Sequence, residues 1–596
     1  MFKRIINITI WTLIGLYTAI IILLHIPSIQ TYIGGCVADA LCDKFGTKVK
    51  VGRVDLGFIN RLILDDSYMQ DKNGEQMLRV SRISVKINLL ALANGQIEIT
   101  SAQFFGLHAN LYKATPEAKP NFQFVVDALA SKDSTKQKTP LDLQINSLII
   151  RNGEISYRVL SRPSRPGKFS ADDINARNIS AHIIINRITD DSLNVKVKRI
   201  AFDERCGFKL KSLSLSAIAC RTKTKIENFK LELPATLIQI PSLQASYRMK
   251  NGQIEMPTLQ FDGSIKAPYI STSDLAVFVP TLTRLNMRPA LDIQFNGTGS
   301  SLTVKKISIN TTDGSLQLVA NGGVKNYPAN PSWYTNIDQL KAGQQTISNI
   351  YAVATGKNVP NIIERLGNVQ ITGYAGGDKK NIASEGKLHT SPGNLTLAFD
   401  KRGDKITAHM ETVRFNIGSL VNDNKLGHIS ANLNVHGSSK DNFAAQGRVY
   451  DFDYNGYKYR SLNLNATYRN KRLEGKANID DPNVQLTAIG TFVNNGAKPN
   501  LQLKANIAHF EPNTLRLTDK WQQTAFAANI ACDIKGSDIN NADGSIELHD
   551  FAMRGPETEY NINNVSVKTG YNNGNHFLSL KSDFGTIDLN GHFSYS

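Results

Sequence analysis

At 596 residues, with 41% apolar and 20% charged side chains, the chain carries enough apolar surface to fold, which excludes global disorder. Its formal charge of +17 would suit nucleic acid, anionic lipid or lipopolysaccharide. The lysines and arginines are scattered singly, however, with no block that could track a phosphate backbone, so no nucleic-acid partner is expected and the charge reads as a solvated cationic surface.

The first element is an apolar run. Ile5–Ile26, "IINITIWTLIGLYTAIIILLHI", holds 22 residues and no Asp, Glu, Lys or Arg, enough at 1.5 Å per residue to span hydrocarbon. Lys3 and Arg4 precede it, and Pro27–Asp43 contains no Lys or Arg. The positive-inside bias predicts a single-pass anchor with a cytoplasmic amino-terminus and everything after Pro27 across the membrane. Ile5, Trp11, Leu16, Ile20, Leu24 and Ile26 would carry the anchor, with Lys3 and Arg4 as topology charges. A cleaved signal peptide competes, but the run exceeds a signal h-region and no small-x-small site follows closely.

Next, Ile29, Ile33, Cys36, Val37, Ala40 and Leu41 recur at helical spacing, predicting an amphipathic helix over 28–46 that lies on a bilayer or, the favoured reading, closes one end of a sheet. Strands then dominate. In "TKVKVGRVDLGFINRLILDD" Val49 and Val51 share a face, the phase slips by one, and Val54, Leu56 and Phe58 share a face. Ile83, Val85 and Ile87 alternate, as do Ile97 and Ile99. The pattern is cleaner late in the chain: Ile429, Ala431, Leu433 and Val435; Leu462, Leu464, Ala466 and Tyr468; Val484, Leu486 and Ala488. A period of two with Asn, Ser, Thr, Lys and Asp between means a sheet solvated on one side. Thirteen Asn-Gly or Asp-Gly steps read as type I′ hairpin turns and predict consecutive antiparallel strands. A short helix at Asn121–Ala130, a polar linker or loop at 131–140, a helix at Asn336–Gly356 and an ambiguous Thr272–Leu285 interrupt them. The domain plan is a tip and anchor at 1–27, a linker helix at 28–46, a first β region at 47–130, the linker at 131–140 and β repeats over 141–596.

Chemistry is sparse. There is no HExxH, CxxC, phosphate-binding loop, dinucleotide fingerprint or nucleophile elbow. The eleven histidines are dispersed; His428 and His436 bracket one strand and read as solvent-facing. Five cysteines leave at least one unpaired, and whether Cys206 meets Cys220 stays open. No catalytic, metal or cofactor residue is nominated, and the chain does not read as an enzyme. A one-sided apolar sheet either closes on a second sheet or leaves a trough for acyl chains, and alternation does not separate the two.

The anchor, the helix and "LCDKFGTKVKVGRVDLGFINRLILDDSYMQDKNGEQMLRVSRISVKINLLAL", continuing into "GQIEITSAQFFGLHANLYK", together resemble the amino-terminal region of AsmA-like proteins, above all the TamB translocation-and-assembly type of Bacteroides-like bacteria. The likeness is strongest over residues 1–115, and "DDPNVQLTAIGTF" resembles a recurrent strand of that family. It implies a mainly β fold: a transmembrane helix, then an elongated, curled antiparallel β-groove with a few short helices, similar to bridge-like lipid transfer proteins. It also implies a bacterial inner-membrane location with a periplasmic groove moving phospholipid towards the outer membrane, or a scaffold for outer-membrane protein assembly with a barrel partner of the TamA or BamA type. An envelope repeat of β-sandwiches is the third reading. Phospholipid acyl chains would then be lined by Val49, Val51, Val54, Leu56, Ile83, Val85, Ile87, Ile97, Ile99, Ile429, Leu433, Val435, Leu462, Leu464, Val484 and Leu486. Long family members continue into a distinct carboxy-terminal β region, whereas this chain stops at "GTIDLNGHFSYS", so a truncated or short form is expected.

Overall fold

The computed structural model describes residues 2–57, 60–87, 97–130, 141–164, 167–189, 192–250, 253–439, 442–494, 496, 499–536, 542–572 and 575–591. The expected linker at 131–140 lies outside them. Contacts divide the chain into two units, Met1–Thr312 and Asp313–Ser596.

Unit 1 opens with helices α1 (Phe2–Leu24) and α2 (Pro27–Phe45). Pro27 sits where a helix needs no N–H, and Gly46 ends α2 at φ 61. Lys72 Nζ donates to the Phe45 and Gly46 carbonyls at 3.0 and 2.7 Å, the favourable placing of a cation at a helix C-terminus. The expected anchor is corrected here. Among the described residues no helix is long and apolar enough to cross a membrane. Within α1 the expected run carries the polar Asn7, Thr9, Thr12 and Thr18, of which Thr12 and Thr18 donate their hydroxyls to the Ile8 and Ile14 carbonyls at 2.7 and 2.8 Å. The single-pass topology, the inner-membrane location and the movement of phospholipid between two membranes fall with it, as do the other envelope roles that assumed this topology.

The strands of unit 1 are β1 (Val49–Lys50), β2 (Arg53–Gly57), β3 (Arg61–Gln70), β4 (Gln76–Ile87), β5 (Ile97–Lys113), β6 (Leu141–Val159), β7 (Asp173–Thr189), β8 (Ser192–Glu204), β9 (Lys209–Cys220), β10 (Lys223–Glu232), β11 (Leu237–Ser246), β12 (Met249–Lys250), β13 (Gln253–Ile254), β14 (Gln260–Tyr269), β15 (Pro289–Thr298) and β16 (Ser301–Thr311). The slip at Val51 is the break between β1 and β2, both of which pair with β3. Helix α3 (Gln123–Ala130) follows β5, and β5 pairs with β6 in parallel. The sheet is therefore mixed rather than wholly antiparallel, because the long connection through α3 lets the chain cross over. Thr272–Leu285 resolves into a one-turn helix, α4 (Thr272–Leu275), and a 3₁₀ segment at Pro280–Arg284.

Residues directly opposite in a ladder share a face. Register therefore aligns Val54, Leu64, Ile83, Phe104, Ile150, Ala181, Ile200, Leu213, Leu231 and Ile238 in one apolar row across ten strands. At one end α2 and α3 cover the sheet: Leu41, Cys42, Phe124 and Val125 pack on Val49, Met69 and Met77.

Unit 2 holds β17 (Leu316–Lys325), β18 (Ser332–Ala342), α5 (Gln344–Thr355), α6 (Asn361–Glu364), β19 (Val369–Gly377), β20 (Asn381–His389), β21 (Asn394–Arg402), β22 (Lys405–Asn416), α7 (Ile417–Val421), β23 (Leu426–Ser439), β24 (Asn442–Tyr454), β25 (Tyr457–Arg469), β26 (Arg472–Asp481), β27 (Val484–Val493), β28 (Asn500–Phe510), β29 (Ala525–Lys535), β30 (Asp543–Arg554), β31 (Glu559–Asn572), β32 (Asn575–Ser582) and β33 (Gly585–Gly591). The helix expected at Asn336–Gly356 begins only at Gln344, because Trp333, Thr335 and Ile337 alternate as strand. From β17 to β33 consecutive strands pair antiparallel, and among the described residues no pairing joins β17 to β33. The expected curled groove is corrected as well, since among the described residues no strongly curled or closed sheet is found. Alternation dictates which face is apolar; curvature depends on twist and bulges, which a period of two does not encode.

One turn chemistry locks a strand end in each unit. Asp71, 2% exposed, accepts from Tyr112 Oη at 2.7 Å, the Asn73 and Glu75 amides at 2.8 and 3.0 Å, and Asn121 Nδ2 at 3.3 Å. Asn73 Nδ2 donates back to Tyr112 Oη at 2.9 Å. In unit 2, Asp481, 1% exposed, accepts from the Tyr457 hydroxyl and from the Arg460 and Asn483 amides at 3.0 and 2.9 Å. Asn483 Nδ2 again reaches the tyrosine oxygen at 2.9 Å. Both are Asp-x-Asn steps with a cross-strand tyrosine. A buried carboxylate is tolerable here because donors surround it.

Candidate functional site

The chemistry of unit 2 lies in the difference between its two faces. One row runs Leu397, Met410, Leu433, Gly447, Leu464, Ala477, Ala488, Ala505, Ile530, Leu548 and Val565 without a polar side chain. The opposite face carries Thr396, Glu411, Asn432, Arg448, Asn463, Asn478, Thr487, Asn506, Asn529, His549 and Asn564 in the same register. There the side chains bond laterally: Thr487 Oγ1 to Asn478 Oδ1 at 2.7 Å and Asn506 Nδ2 to Asn529 Oδ1 at 2.6 Å. Water solvates the polar ladder; the apolar row has no such outlet.

Across β23–β28 the apolar face forms a trough of about 420 Å³ lined by Leu433, Val435, Ala445, Leu464, Ala466, Leu473, Gly475, Ala477, Ala488, Gly490, Phe492, Leu501 and Leu503 among others. Glycine and alanine lower its floor between larger leucine and phenylalanine walls. A Cβ on Gly475 would meet the Asn465 carbonyl at 3.5 Å and Ala466 Cβ at 3.6 Å, ordinary van der Waals contacts that a side chain can accept. Leu464, Leu473, Phe492 and Leu501 each remain 38–40% exposed. An apolar surface of this extent, left uncovered, marks a binding surface more often than a passive one.

Leu433, Val435 and Leu464 of the sequence-derived candidates lie in the trough. Leu462 and Leu486 stand in the adjoining row with Ile479 and Ile507, Ile429 opposes Phe415 and Phe452, and Val484 is buried at the margin. In unit 1, Val49 is buried beneath α2 and α3, while Val85 and Ile87 pack with Ala102 against Ile83, Ile99, Phe104 and Leu148. Val54 is buried and Val51 half-buried. Leu56 lies in β2 and Ile97 in β5. Lys3, Arg4, Ile5, Leu16, Ile20 and Leu24 fall in α1, where Trp11 is exposed, as is Ile26 just after it. Leu473, Phe492, Leu501, Leu503 and the glycine floor were missed; their two-residue alternation was visible, but their convergence depends on register.

A larger cleft, about 560 Å³, opens in unit 1 beside Asn178, Arg199, Asp203, Lys211, Ser212 and Glu232. Its charges are mixed, and Asn178 Nδ2 already bonds Asp203 at 2.9 Å, so it presents no convergent chemistry. His428 sits 3.4 Å from Asp453, while His436 opposes Thr407. The five cysteines are free thiols, and among the described residues no group of His, Cys, Asp and Glu is placed to hold a metal ion. No protein-family model matches the chain, and neither a curated protein nor a solved structure shows similarity to it.

Proposed function

We propose that the chain is a non-catalytic binder of hydrocarbon, seating acyl chains of a lipid in the trough of unit 2. The observation that carries this reading is the uncharged row from Leu397 to Val565, which stays partly exposed and deepens into a cavity floored by Gly475 and Gly490. Each methylene removed from water contributes ~0.8 kcal/mol, so an apolar strip retains a chain without any reacting group. The resemblance of residues 1–115 to AsmA-like proteins points to the same ligand class.

The test is titration of the lipid-stripped full chain with a fluorescent fatty acid. Gly475→Leu should fill the trough and weaken binding by roughly tenfold or more, since a displaced chain forfeits several methylene contacts. Its thermal midpoint should hold, because a Cβ there makes only ordinary van der Waals contacts and leucine favours the folded strand over glycine. Leu464→Asp, which puts a charge in the apolar row, should abolish binding while circular dichroism stays β. A wild-type chain that takes up no probe, or a Gly475→Leu chain that binds normally, would overturn the reading.

A further inference from the structure

We propose that the polar face of unit 1 docks an extended, acidic polypeptide segment of a partner protein, whose carboxylates meet Arg151, Lys198 and Arg199. This stands apart from the hydrocarbon-binding reading, since it concerns the other unit and the solvated side of its sheet.

On the side of unit 1 away from the apolar row, register sets Arg82, Phe105 and Arg151 in one line across β4, β5 and β6. The adjoining line runs Ser84, Gln103, Ile149, His182 and Arg199 as far as β8, and the next joins Lys86 to Lys196 through Ser101, Ser147 and Ile184. Lys198 lies at the bulge between Arg199 and Val197. Cations scattered along the sequence thus gather on one surface.

The described carboxylates around them are already answered. Asp65 accepts from Arg82 Nε at 2.7 Å, Glu154 pairs with Arg177 at 3.2 Å, Glu227 pairs with Lys225 at 2.7 Å, and Asp203 accepts from Asn178 Nδ2 at 2.9 Å. Lys86, Arg151, Lys196, Lys198 and Arg199 are exposed and form no ion pair among the described residues. The Arg151 guanidinium instead lies 5.6 Å over the Phe105 ring, a placing that steadies its direction. Burial, with the nearby charges of Lys198 and Arg151, holds His182 below its ordinary 6.5, so the positive field of the cluster is felt within the strip.

Spacing selects the occupant. Arg151 and Arg199 stand two strands apart, roughly 10 Å at ~4.8 Å per strand. A polyproline-type chain rises ~3.1 Å per residue with three residues per turn, so every third side chain returns to one face after roughly 9 Å. Acidic segments are extended by their own repulsion, and guanidinium forks match carboxylates with paired hydrogen bonds. Nucleic acid fits poorly. Duplex DNA sets a charge every ~1.7 Å of axis, far denser than these cations, and Phe105 lies under Arg151 rather than open to a base.

The test is anisotropy titration of the full chain at low salt with two labelled peptides. One has four Glu-Pro-Pro repeats; the other has the same composition with its glutamates in a single block. The repeat peptide should bind roughly fivefold tighter, the scale of one exposed ion pair brought into register, and weaken as salt rises. Arg151→Gln combined with Arg199→Gln should weaken it roughly tenfold, the scale of two such pairs, and the corresponding pair of lysine substitutions should keep most of the affinity. Lys379→Gln with Lys380→Gln, exposed in unit 2, removes equal charge elsewhere and should change nothing. Wild type that binds neither peptide, or binds both equally, would overturn the proposal. So would a loss matched by the Lys379 and Lys380 pair, or tighter binding of a DNA oligomer of equal charge.

Discussion

Asp71→Ala should destabilise unit 1 by about 3 kcal/mol, the scale expected when several buried donors lose one acceptor. The substitution strands the Tyr112 hydroxyl, the Asn73 and Glu75 amides and Asn121 Nδ2 at once. The same contact governs a pH dependence. Burial alone would raise the Asp71 pKa, but the donors from Tyr112, Glu75, Asn121 and Asn73 outweigh it and hold the carboxyl below its ordinary 3.8. With the folded value depressed, the stabilisation is complete above the unfolded pKa and disappears as pH falls through the lower folded one. Urea unfolding of wild type and Asp71→Ala across pH 2 to 6, followed by hydrogen exchange in β3–β5, should show the two curves converging only at the acid end. Parallel curves would mean the carboxylate contributes nothing through its charge.

Leu515→Ala should cost about 3 kcal/mol, typical of emptying a fully enclosed leucine site. Leu515 is 0% exposed although it lies in the connection between β28 and β29. That connection folds back over the β24–β25 turn: Tyr459 Oη donates to the Leu515 carbonyl at 3.4 Å, and Asn455 Nδ2 to that of Arg516. Burial here pushes the Tyr459 hydroxyl up to about 12. Arg516, Trp521 and Gln523 all adopt left-handed φ, at 58°, 62° and 49°, a cost borne only where packing imposes it. Loss of the leucine anchor should release the segment, seen as faster hydrogen exchange at 511–524 and as proteolytic nicking there ahead of the flanking strands. Exchange rates matching wild type would show that the loop is held by its hydrogen bonds alone.

The β character was legible because Leu433 with Val435 and Leu462 with Leu464 alternate at a period of two. The lateral rows were not, because register is set by bulges such as those between Ser430 and Ala431 and between Gln485 and Leu486. The Asn-Gly and Asp-Gly steps misled in an instructive way. Only at Asn455-Gly456 are both residues described with left-handed φ, at 50° and 79°. Asn296-Gly297 and Asn321-Gly322 instead lie inside β15 and β17, where a Cβ would meet the Ser301 carbonyl at 2.3 Å and the Tyr334 carbonyl at 2.5 Å. Glycine there permits close approach of neighbouring backbones rather than a turn. Conversely, the turn at Asn470-Lys471 has both residues left-handed, at 47° and 67°, without any glycine.

Among the described residues of unit 2, pairing runs between strands consecutive in the chain, so the ladder can lengthen or shorten by whole hairpins. Inserting or deleting a pair returns the chain to the same margin, heading the same way, and leaves the wettable and oily sides of every other strand where they were. Such a scaffold can be tuned in span by duplication without being redesigned, and damage to one hairpin need not spread to distant ones.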